Sequence, residues 1–282
     1  MRKQNICNLF LVKDQPKVCE FKWLSFDLMC YNSIQEFFAR VPTRLFPMKS
    51  AHDTLTPMKH FMSVVILFGI KLLSRIFFRF ETRWIQSIDR HPWKNIKLFL
   101  YLNHTSLYEP LFVGIIPIRI LWDASQRVVL PGADKTMNRP LVGRFFKFLF
   151  PQVVTITRKR DFSWNQFLEK IDDNSLIAIA PEGRMKRQTG LDSDGNPMSV
   201  KGGVVDILLR LKAGNMVIAY SGGLHHVQHP GQLFPSLFKT VKFNLEQLDI
   251  ATYKAQFDTQ NPQEFRRKVI ENLTQRLQKN CP

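Results

Sequence analysis

The sequence predicts an α/β fold in which a mostly parallel central sheet is flanked by helices. From about residue 95 onwards, short apolar runs rich in β-branched residues alternate with longer amphipathic stretches, and this alternation is typical of parallel strands connected by helices. The chain has 282 residues, which is enough for one large domain with a substantial core. We therefore expect one domain over residues 91–282, preceded by an extension over residues 1–57 and a helical segment over residues 58–90.

The individual elements of the domain follow from the apolar runs and the amphipathic stretches. Strands are expected at residues 96–102, 127–130, 153–157, 176–180, 216–220 and 240–245. Helices are expected at residues 139–150, 162–171, 200–212 and 262–279. No internal repeat or low-complexity tract interrupts this order. Residues 1–57, in contrast, have weak periodicity and several prolines, so no element is predicted there.

The segment over residues 58–90 is apolar but is interrupted by cations at a regular spacing. Lys71, Arg75, Arg79 and Arg83 recur every four residues and would share one stripe of a helix. Such an amphipathic helix fits one that lies in a membrane interface with its cations towards the headgroups. It fits equally well a helix that packs on the protein's own core with a solvated basic stripe. No stretch is judged long enough to span a bilayer, so peripheral or monotopic membrane association is expected.

The charge of the chain indicates an anionic partner without identifying it. The net charge is +17, which attracts nucleic acid, an anionic membrane surface or a phosphorylated substrate. The basic residues are not interleaved with aromatics in a recognisable nucleic-acid-binding module, so no nucleic-acid partner is expected. The 24 phenylalanines suit an acyl-chain pocket or a membrane-facing surface, but also an ordinary core.

No metal site or disulfide framework is expected from the sequence. The cysteines have no paired spacing, which favours reduced thiols. The histidine cluster at residues 225–229 has no nearby carboxylate to complete a ligand set. Residues 192–196 resemble the start of a calcium loop but lack the closing glutamate, so a turn is the preferred interpretation. The cysteines in question are Cys7, Cys19, Cys30 and Cys281.

A histidine and a glutamate directly after the first predicted strand form the candidate catalytic pair. His104 and Glu109 are five residues apart, which in a regular helix would turn their side chains roughly 140° away from each other. If His104 lies in a strand-to-helix turn and Glu109 opens the helix, the carboxylate can fold back onto the imidazole. Pro110 supports this placement, since proline is tolerated in the first turn of a helix. The carboxylate would orient the imidazole, which would take a proton from a hydroxyl group.

The sequence around this pair favours direct attack by a substrate hydroxyl. There is no serine in a GxSxG elbow, and no cysteine lies near His104. A covalent intermediate on the enzyme is therefore not expected.

Residues 103–109, Asn-His-Thr-Ser-Leu-Tyr-Glu, resemble the first motif, NHxSxxD, of the glycerophospholipid acyltransferase superfamily, which includes bacterial lysophosphatidate acyltransferases. Further blocks follow in the family's order, and together they cover roughly residues 95–225. Each motif alone is weak, but several in order at plausible separations are a strong signal. The later blocks are residues 134–158, which end in Arg158, then Ala180-Pro181-Glu182-Gly183 in the place of FPEGTR, then Lys201-Gly202-Gly203, and finally the apolar residues 217–220.

The chain departs from the family pattern at several positions. The carboxylate of the first motif is Glu109 where the family usually has aspartate. In the third block, Arg184 and Met185 replace the usual threonine and arginine, so that Arg184 or Lys186 would have to supply the cation. Alanine replaces the usual phenylalanine before Pro181 and the usual proline in the last block.

The resemblance implies transfer of a fatty acyl group from acyl-CoA or acyl carrier protein to a hydroxyl of a lysophospholipid. The most direct expectation is 1-acylglycerol 3-phosphate as acceptor and phosphatidate as product. The alternatives are another lysophospholipid or aminolipid acceptor, or a non-catalytic membrane-binding member of the same scaffold. No cofactor or metal is implied, and the protein would work at an anionic membrane surface on its cytoplasmic face. The residues that the resemblance implies are His104 and Glu109 for catalysis, and Arg158, Glu182, Gly183, Arg184 and Lys135 for substrate binding.

Overall fold

The computed structural model describes residues 51–88, 90–106, 108–150, 152–157, 159–228, 232, 234–257 and 260–282. The predicted extension therefore lies outside the described residues, except for the start of the first helix. The strands are β1 (Arg79–Gln86), β2 (Ile96–Leu102), β3 (Val128–Ala133), β4 (Gln152–Ile156), β5 (Leu176–Ile179), β6 (Asn215–Ser221) and β7 (Thr240–Asp249). The helices are α1 (Ala51–Phe77), the 3-10 helix η1 (Glu109–Ile115), α2 (Ile118–Arg127), α3 (Asp134–Met137), α4 (Pro140–Leu149), α5 (Phe162–Glu169), α6 (Gly203–Arg210), α7 (Ile250–Ala255) and α8 (Pro262–Asn280).

The strands form one mixed sheet in the order β1-β7-β6-β2-β5-β3-β4. Five neighbouring strands from β6 to β4 are parallel, whereas β7 is antiparallel to β6 and carries β1 parallel to itself. The predicted mostly parallel sheet flanked by helices is therefore confirmed. Because β2 is the middle strand of the seven-stranded sheet and lies between β6 and β5, the turn after β2 opens in the interior of the edge where the five parallel strands end. This is the edge at which open α/β sheets bind their ligands.

The central strands are buried on both faces, which explains their continuous apolar runs. On one face of β2, Leu98, Leu100 and Leu102 are fully buried in a cluster that includes side chains of α5, α6 and α8. On the other face, Tyr101 packs with Phe112 of η1 and Phe243 of β7. The turn after β2 is therefore fixed from both sides of the sheet.

The predicted helical segment over residues 58–90 is only partly correct. The helix begins at Ala51 and ends at Phe77, and Arg79–Gln86 is an edge strand. This strand pairs in register with β7, from Arg79 opposite Thr240 onwards. Pairing with β7 outweighs the four-residue spacing of the cations, and Arg79 and Arg83 therefore do not share a helical stripe with Lys71 and Arg75.

Helix α1 packs on the rest of the protein through buried apolar residues such as Val64 and Leu67 and through polar contacts of Lys71 and Arg75, and it carries further apolar side chains on its outward face. Lys71 Nζ donates to the carbonyls of Gly114 and Ile116, both at 2.8 Å, and Arg75 Nε donates to the carbonyl of Gly114 at 2.9 Å. Lys71 is half-buried against η1 whereas Arg75 is exposed, so the prediction that this stripe faces headgroups or solvent does not hold for Lys71. The outward apolar stripe consists of side chains that are between 41% and 59% exposed, namely Met58, Phe61, Met62, Val65, Leu72, Leu73 and Ile76.

The same helix contains a stretch that could cross a membrane. Residues 60–77 are long and apolar enough to do so by length and composition, and only 22% of them are buried. The expectation that no stretch reaches this length is therefore wrong. The core helix of a soluble protein is mostly buried, so the exposure of this stretch is unlike that of a core helix, and an exposed apolar stripe of this kind is typical of an interaction surface.

Candidate active site

A sharp corner after β2 brings His104 and Glu109 together. Strand β2 ends at Leu102, and Asn103 adopts a left-handed conformation with φ of 66°, which asparagine tolerates better than most residues. Helix η1 then begins at Glu109, with Pro110 in its first turn. This is the strand–turn–helix arrangement that the five-residue spacing predicts. His104 Nδ1 and Glu109 Oε2 are hydrogen-bonded in it.

The carboxylate of Glu109 is held by the turn that it closes. Its Oε1 accepts hydrogen bonds from the backbone N–H groups of Thr105 at 2.6 Å and Ser106 at 3.2 Å. Its Oε2 is then free to contact His104, and the side chain is only 11% exposed. The glutamate therefore has a fixed orientation, and its length lets one oxygen bind the turn while the other reaches the imidazole.

Glu182, three residues after the end of β5, supports the backbone of the same corner. It is 1% exposed and accepts hydrogen bonds from the backbone N–H groups of Asn103 at 3.0 Å and His104 at 2.8 Å. Both carboxylate oxygens are thus engaged by the corner, whereas the family resemblance implied that Glu182 binds substrate. Gly183 follows with φ of 69°, a conformation that favours glycine.

The other side of His104 is fixed by the loop that follows Gly183. The backbone N–H of Lys186 donates to the carbonyl of His104 at 2.6 Å, and His225 Nε2 donates to the carbonyl of Lys186 at 2.8 Å. The main chain of His104 is therefore held at both its N–H and its C=O. Within the described part of the chain, no group is hydrogen-bonded to His104 Nε2.

The carboxylate of Glu109 favours the protonated form of the His104 imidazole, whereas burial disfavours it. Burial by itself lowers the pKa of His104, but the Glu109 carboxylate, helped by Glu182, outweighs it and the pKa lies above the usual histidine value. Burial raises the pKa of Glu182, although the two backbone N–H groups and His104 oppose this shift. A histidine with an adjacent carboxylate and a raised pKa is well suited to accept a proton and to hold it as imidazolium.

Two small hydroxyl residues inside the first motif are part of the site and were missed in the sequence. Thr105 and Ser106 are each 2% exposed. Thr105 Oγ1 accepts from the backbone N–H of Leu224 at 2.7 Å, and Ser106 Oγ donates to Gln228 Oε1 at 2.8 Å. They join the corner to the segment after β6. Their position between His104 and Glu109 was the available signal, but the partners are more than a hundred residues away.

The cations that were predicted to bind the substrate differ from one another in where they lie and in what they contact. Arg184 is paired with Asp192 at 2.9 Å and with Asp194, so it stabilises its own loop in this structure. Lys135 is exposed in α3, directly after β3. Arg158 lies outside the described residues. Lys186, the alternative to Arg184, has no carboxylate paired with its ammonium among the described side chains.

The histidines and aspartates that raised the question of a metal site have other contacts. His225 and His226 donate to backbone carbonyls, of Lys186 and Thr240 respectively, and His229 lies outside the described residues. Asp192 Oδ1 accepts from the backbone N–H groups of Asp194 and Asn196, which is the turn that the sequence predicts. In the described ranges, no three His, Cys, Asp or Glu side chains converge as metal ligands would.

Among solved structures, the following one is similar to this chain. Neither a family model nor a curated protein sequence matches the chain. The crystal structure of a 1-acyl-sn-glycerophosphate acyltransferase, PlsC, from Thermotoga maritima is similar over 90% of this chain and 91% of that chain, with 15% sequence identity and a TM-score of 0.46. A likeness at this level does not decide the function, which has to be argued from the site.

Proposed function

We propose that this protein is an O-acyltransferase that moves a fatty acyl group from a thioester carrier to a hydroxyl of a lysophospholipid. The observation that carries the proposal is the His104–Glu109 pair, whose imidazole is fixed at Nδ1 by a buried carboxylate and has no partner at Nε2 among the described residues. The pair lies after the middle strand of the sheet, at the edge where the parallel strands end. The order of the motifs in the sequence supports the same activity.

The reaction needs only the imidazole and the two substrates. His104 Nε2 removes the proton from the acceptor hydroxyl as its oxygen attacks the thioester carbonyl carbon, and an ester C–O bond forms. The tetrahedral intermediate collapses by breaking the C–S bond, and the imidazolium returns the proton to the departing thiolate. Glu109 stabilises the imidazolium between these two transfers. Acyl-CoA and acyl carrier protein present the same thioester, and no cofactor enters the balance.

The acceptor that fits best is 1-acylglycerol 3-phosphate, which would give phosphatidate. Lys186 adjoins His104 through a main-chain hydrogen bond, and no carboxylate in the described ranges neutralises it. An ammonium group in this state is suited to a phosphate. We assign the phosphate contact to Lys186 rather than to Arg184, with Arg158 and Lys135 as further predicted contacts. A lysophospholipid with a larger headgroup or an aminolipid is the nearest alternative acceptor.

Helix α1 would hold the protein on the membrane that contains the acceptor. Its outward stripe is apolar along its length, and burying such side chains in lipid is favourable in proportion to their area. The net charge of +17 favours an anionic leaflet, which in most cells is the cytoplasmic one. We therefore propose a peripheral or monotopic position on that face, although the length of α1 also allows it to cross the bilayer.

The proposal is tested with the full chain purified in detergent and reconstituted into lipid nanodiscs. The substrates are 1-oleoylglycerol 3-phosphate and oleoyl-CoA, and the product is measured as phosphatidate by mass spectrometry. We expect turnover that His104→Ala abolishes, while His91→Ala, which removes an exposed imidazole on the loop before β2, leaves it intact. Retained activity in His104→Ala overturns the mechanism. Liposome binding without turnover on any lyso-lipid would instead identify a non-catalytic membrane-binding protein.

A further inference from the structure

Two cations of α1, Lys71 and Arg75, donate hydrogen bonds to carbonyls at the end of η1. Lys71 Nζ donates to two carbonyls there, those of Gly114 and Ile116, and Arg75 Nε donates to the first of them. The last carbonyls of a helix have no partner within the helix, and cations are favourable at this end. Lys71 is half-buried, and a half-buried cation is costly unless it is hydrogen-bonded, whereas Arg75 is exposed. These contacts therefore provide hydrogen-bond donors for the last carbonyls of η1 and acceptors for the ammonium group of Lys71.

The end of η1 that the cations hold is rigidly connected to Glu109. The helix has seven residues, so at about 2 Å per residue its two ends are separated by little more than two turns. A Cβ added at Gly114 would lie 2.8 Å from the ring of Phe80 and 3.1 Å from Cβ of Ser74, so η1 is closely packed on α1 and β1. Phe112, in the middle, is 5% exposed and packs edge-to-face against Phe243. Close packing at both of these points favours transmission of a shift at the end of η1 to Glu109.

We infer that Lys71 and Arg75 are positioning residues for the His104–Glu109 pair. Through them, the helix that carries the exposed apolar stripe sets the place of η1 and hence of the carboxylate that opens it. The inference rests on the proposed function for its kinetic consequences, but its structural part does not depend on turnover. It assigns a use to the two cations whose direction the sequence pattern did not predict.

Three substitutions separate positioning from a general effect of charge. Lys71→Met keeps most of the aliphatic stem but removes both hydrogen bonds, and Lys71→Arg restores donors at the same place. Arg83→Met is the matched control, because it removes one cation from β1, where the side chain is exposed and away from η1. For Lys71→Met we expect a loss in kcat of about 10- to 100-fold with little change in KM, as for small misplacements of a catalytic group. Lys71→Arg should recover most of the rate.

The protonation of His104 gives a readout that does not require activity. The charged groups that act on its imidazole are Glu109 and Glu182. If Glu109 moves away, the interaction that raises the pKa of His104 weakens and the pKa falls. Titration of the histidine-labelled full chain in nanodiscs by nuclear magnetic resonance, with the signal assigned through His104→Ala, should show this fall in Lys71→Met and not in Arg83→Met. Arg75→Gln, which removes one hydrogen bond, should give a smaller shift in the same direction.

The outcomes distinguish the two proposals. A His104 pKa that is unchanged in folded Lys71→Met, or that changes equally in Arg83→Met, overturns the positioning role even if the wild type is active. If the wild type transfers no acyl group but its His104 pKa still responds to Lys71, the proposed function fails and the coupling between α1 and η1 stands.

Discussion

The carboxylate of Glu182 accepts a hydrogen bond from the backbone N–H of His104 at 2.8 Å, so a residue in the loop after β5 fixes the main chain of a residue in the turn after β2. Glu109 acts on the same histidine through its side chain. Two carboxylates from separate parts of the sequence therefore control one imidazole, one by placing its backbone and the other by orienting its ring.

Replacing Glu182 with glutamine should lower both stability and rate. The amide presents its NH₂ group to one of the two backbone N–H groups, and this leaves a buried donor without an acceptor. Such a loss costs about 1–3 kcal/mol of unfolding free energy, which denaturant titration measures. We also expect kcat to fall more than the KM for the acceptor, because the effect acts through His104. A rise in the acceptor KM alone would instead support a direct substrate contact for Glu182.

The activity should increase with pH as His104 loses its proton. Because the pKa of His104 is raised above the usual value of about 6.5, the acidic limb of kcat/KM should lie above that value. In Glu109→Gln, the interactions that contribute most to raising the pKa of His104 are lost and only Glu182 still opposes the effect of burial, so this limb should move to lower pH while the maximal rate drops. The pH dependence of stability has the opposite sign to that of activity. Because the pKa of His104 is raised in the folded state, this histidine stabilises the fold most below its unfolded-state pKa. The stabilisation is lost as the pH rises through the folded-state pKa.

Shortening Glu109 to aspartate should reduce activity, although aspartate is the residue that the family motif leads one to expect. In this structure one oxygen of Glu109 binds the N–H groups of Thr105 and Ser106 while the other reaches His104. The shorter side chain cannot keep all three contacts unless the turn moves. We expect a drop in kcat of about tenfold, comparable to other small misplacements of a catalytic group. An increase in kcat would show that the glutamate is a handicap.

Removing the charge of Lys186 should weaken binding of acceptors that carry a phosphate. For Lys186→Met we expect the KM for 1-acylglycerol 3-phosphate to rise about tenfold, in line with the loss of one charged hydrogen bond, with little change in the KM for acyl-CoA. Arg184→Met is the matched control, since Arg184 is engaged by Asp192 and Asp194 and its loss should mainly affect stability. An equal rise in the two variants would contradict this assignment.

Placing polar groups on the outward stripe of α1 should release the protein from membranes without damaging the site. Leu72 and Ile76 are 46% and 54% exposed, so Leu72→Gln with Ile76→Gln should leave the fold intact. Each buried side chain contributes about 1.5–3 kcal/mol, and we expect a clear loss of co-sedimentation with vesicles of phosphatidylcholine and phosphatidylglycerol. The matched control is Leu209→Gln, on an exposed side chain of α6, which should bind vesicles like the wild type.

The sequence predicted the parts of the fold in which local pattern and tertiary environment agree. The β2 run and the helix over residues 262–279 are found within one residue of their expected bounds, because buried strands and amphipathic helices carry their own periodicity. Strand β1 was missed because it is an exposed edge strand, defined mainly by pairing with β7. The predicted direction of Lys71 on α1 was wrong because it depends on the carbonyls at the end of η1. These carbonyls are about forty residues away in the chain.

The candidate site also contains some contacts that follow from the local sequence and others that depend on the tertiary structure. The corner at His104 and Glu109 follows from their spacing and from Pro110, and it is present in the structure, while its catalytic use remains a proposal. The engagement of Glu182 with the backbone of Asn103 and His104 and of Arg184 with Asp192 depends on how the loop after β5 folds. Neither contact is encoded in a local pattern, and each changes the role that the motif alone implied.

The outward apolar stripe of α1 has a practical consequence for anyone who handles this protein. Water is a poor solvent for a surface of this kind, so the chain should self-associate when it is expressed without lipid or detergent. Substitutions selected for better solubility would remove the same side chains that, under the proposed function, hold the protein on the bilayer that contains its acceptor. A highly soluble variant would therefore be expected to crystallise more easily and to meet its lipid less often.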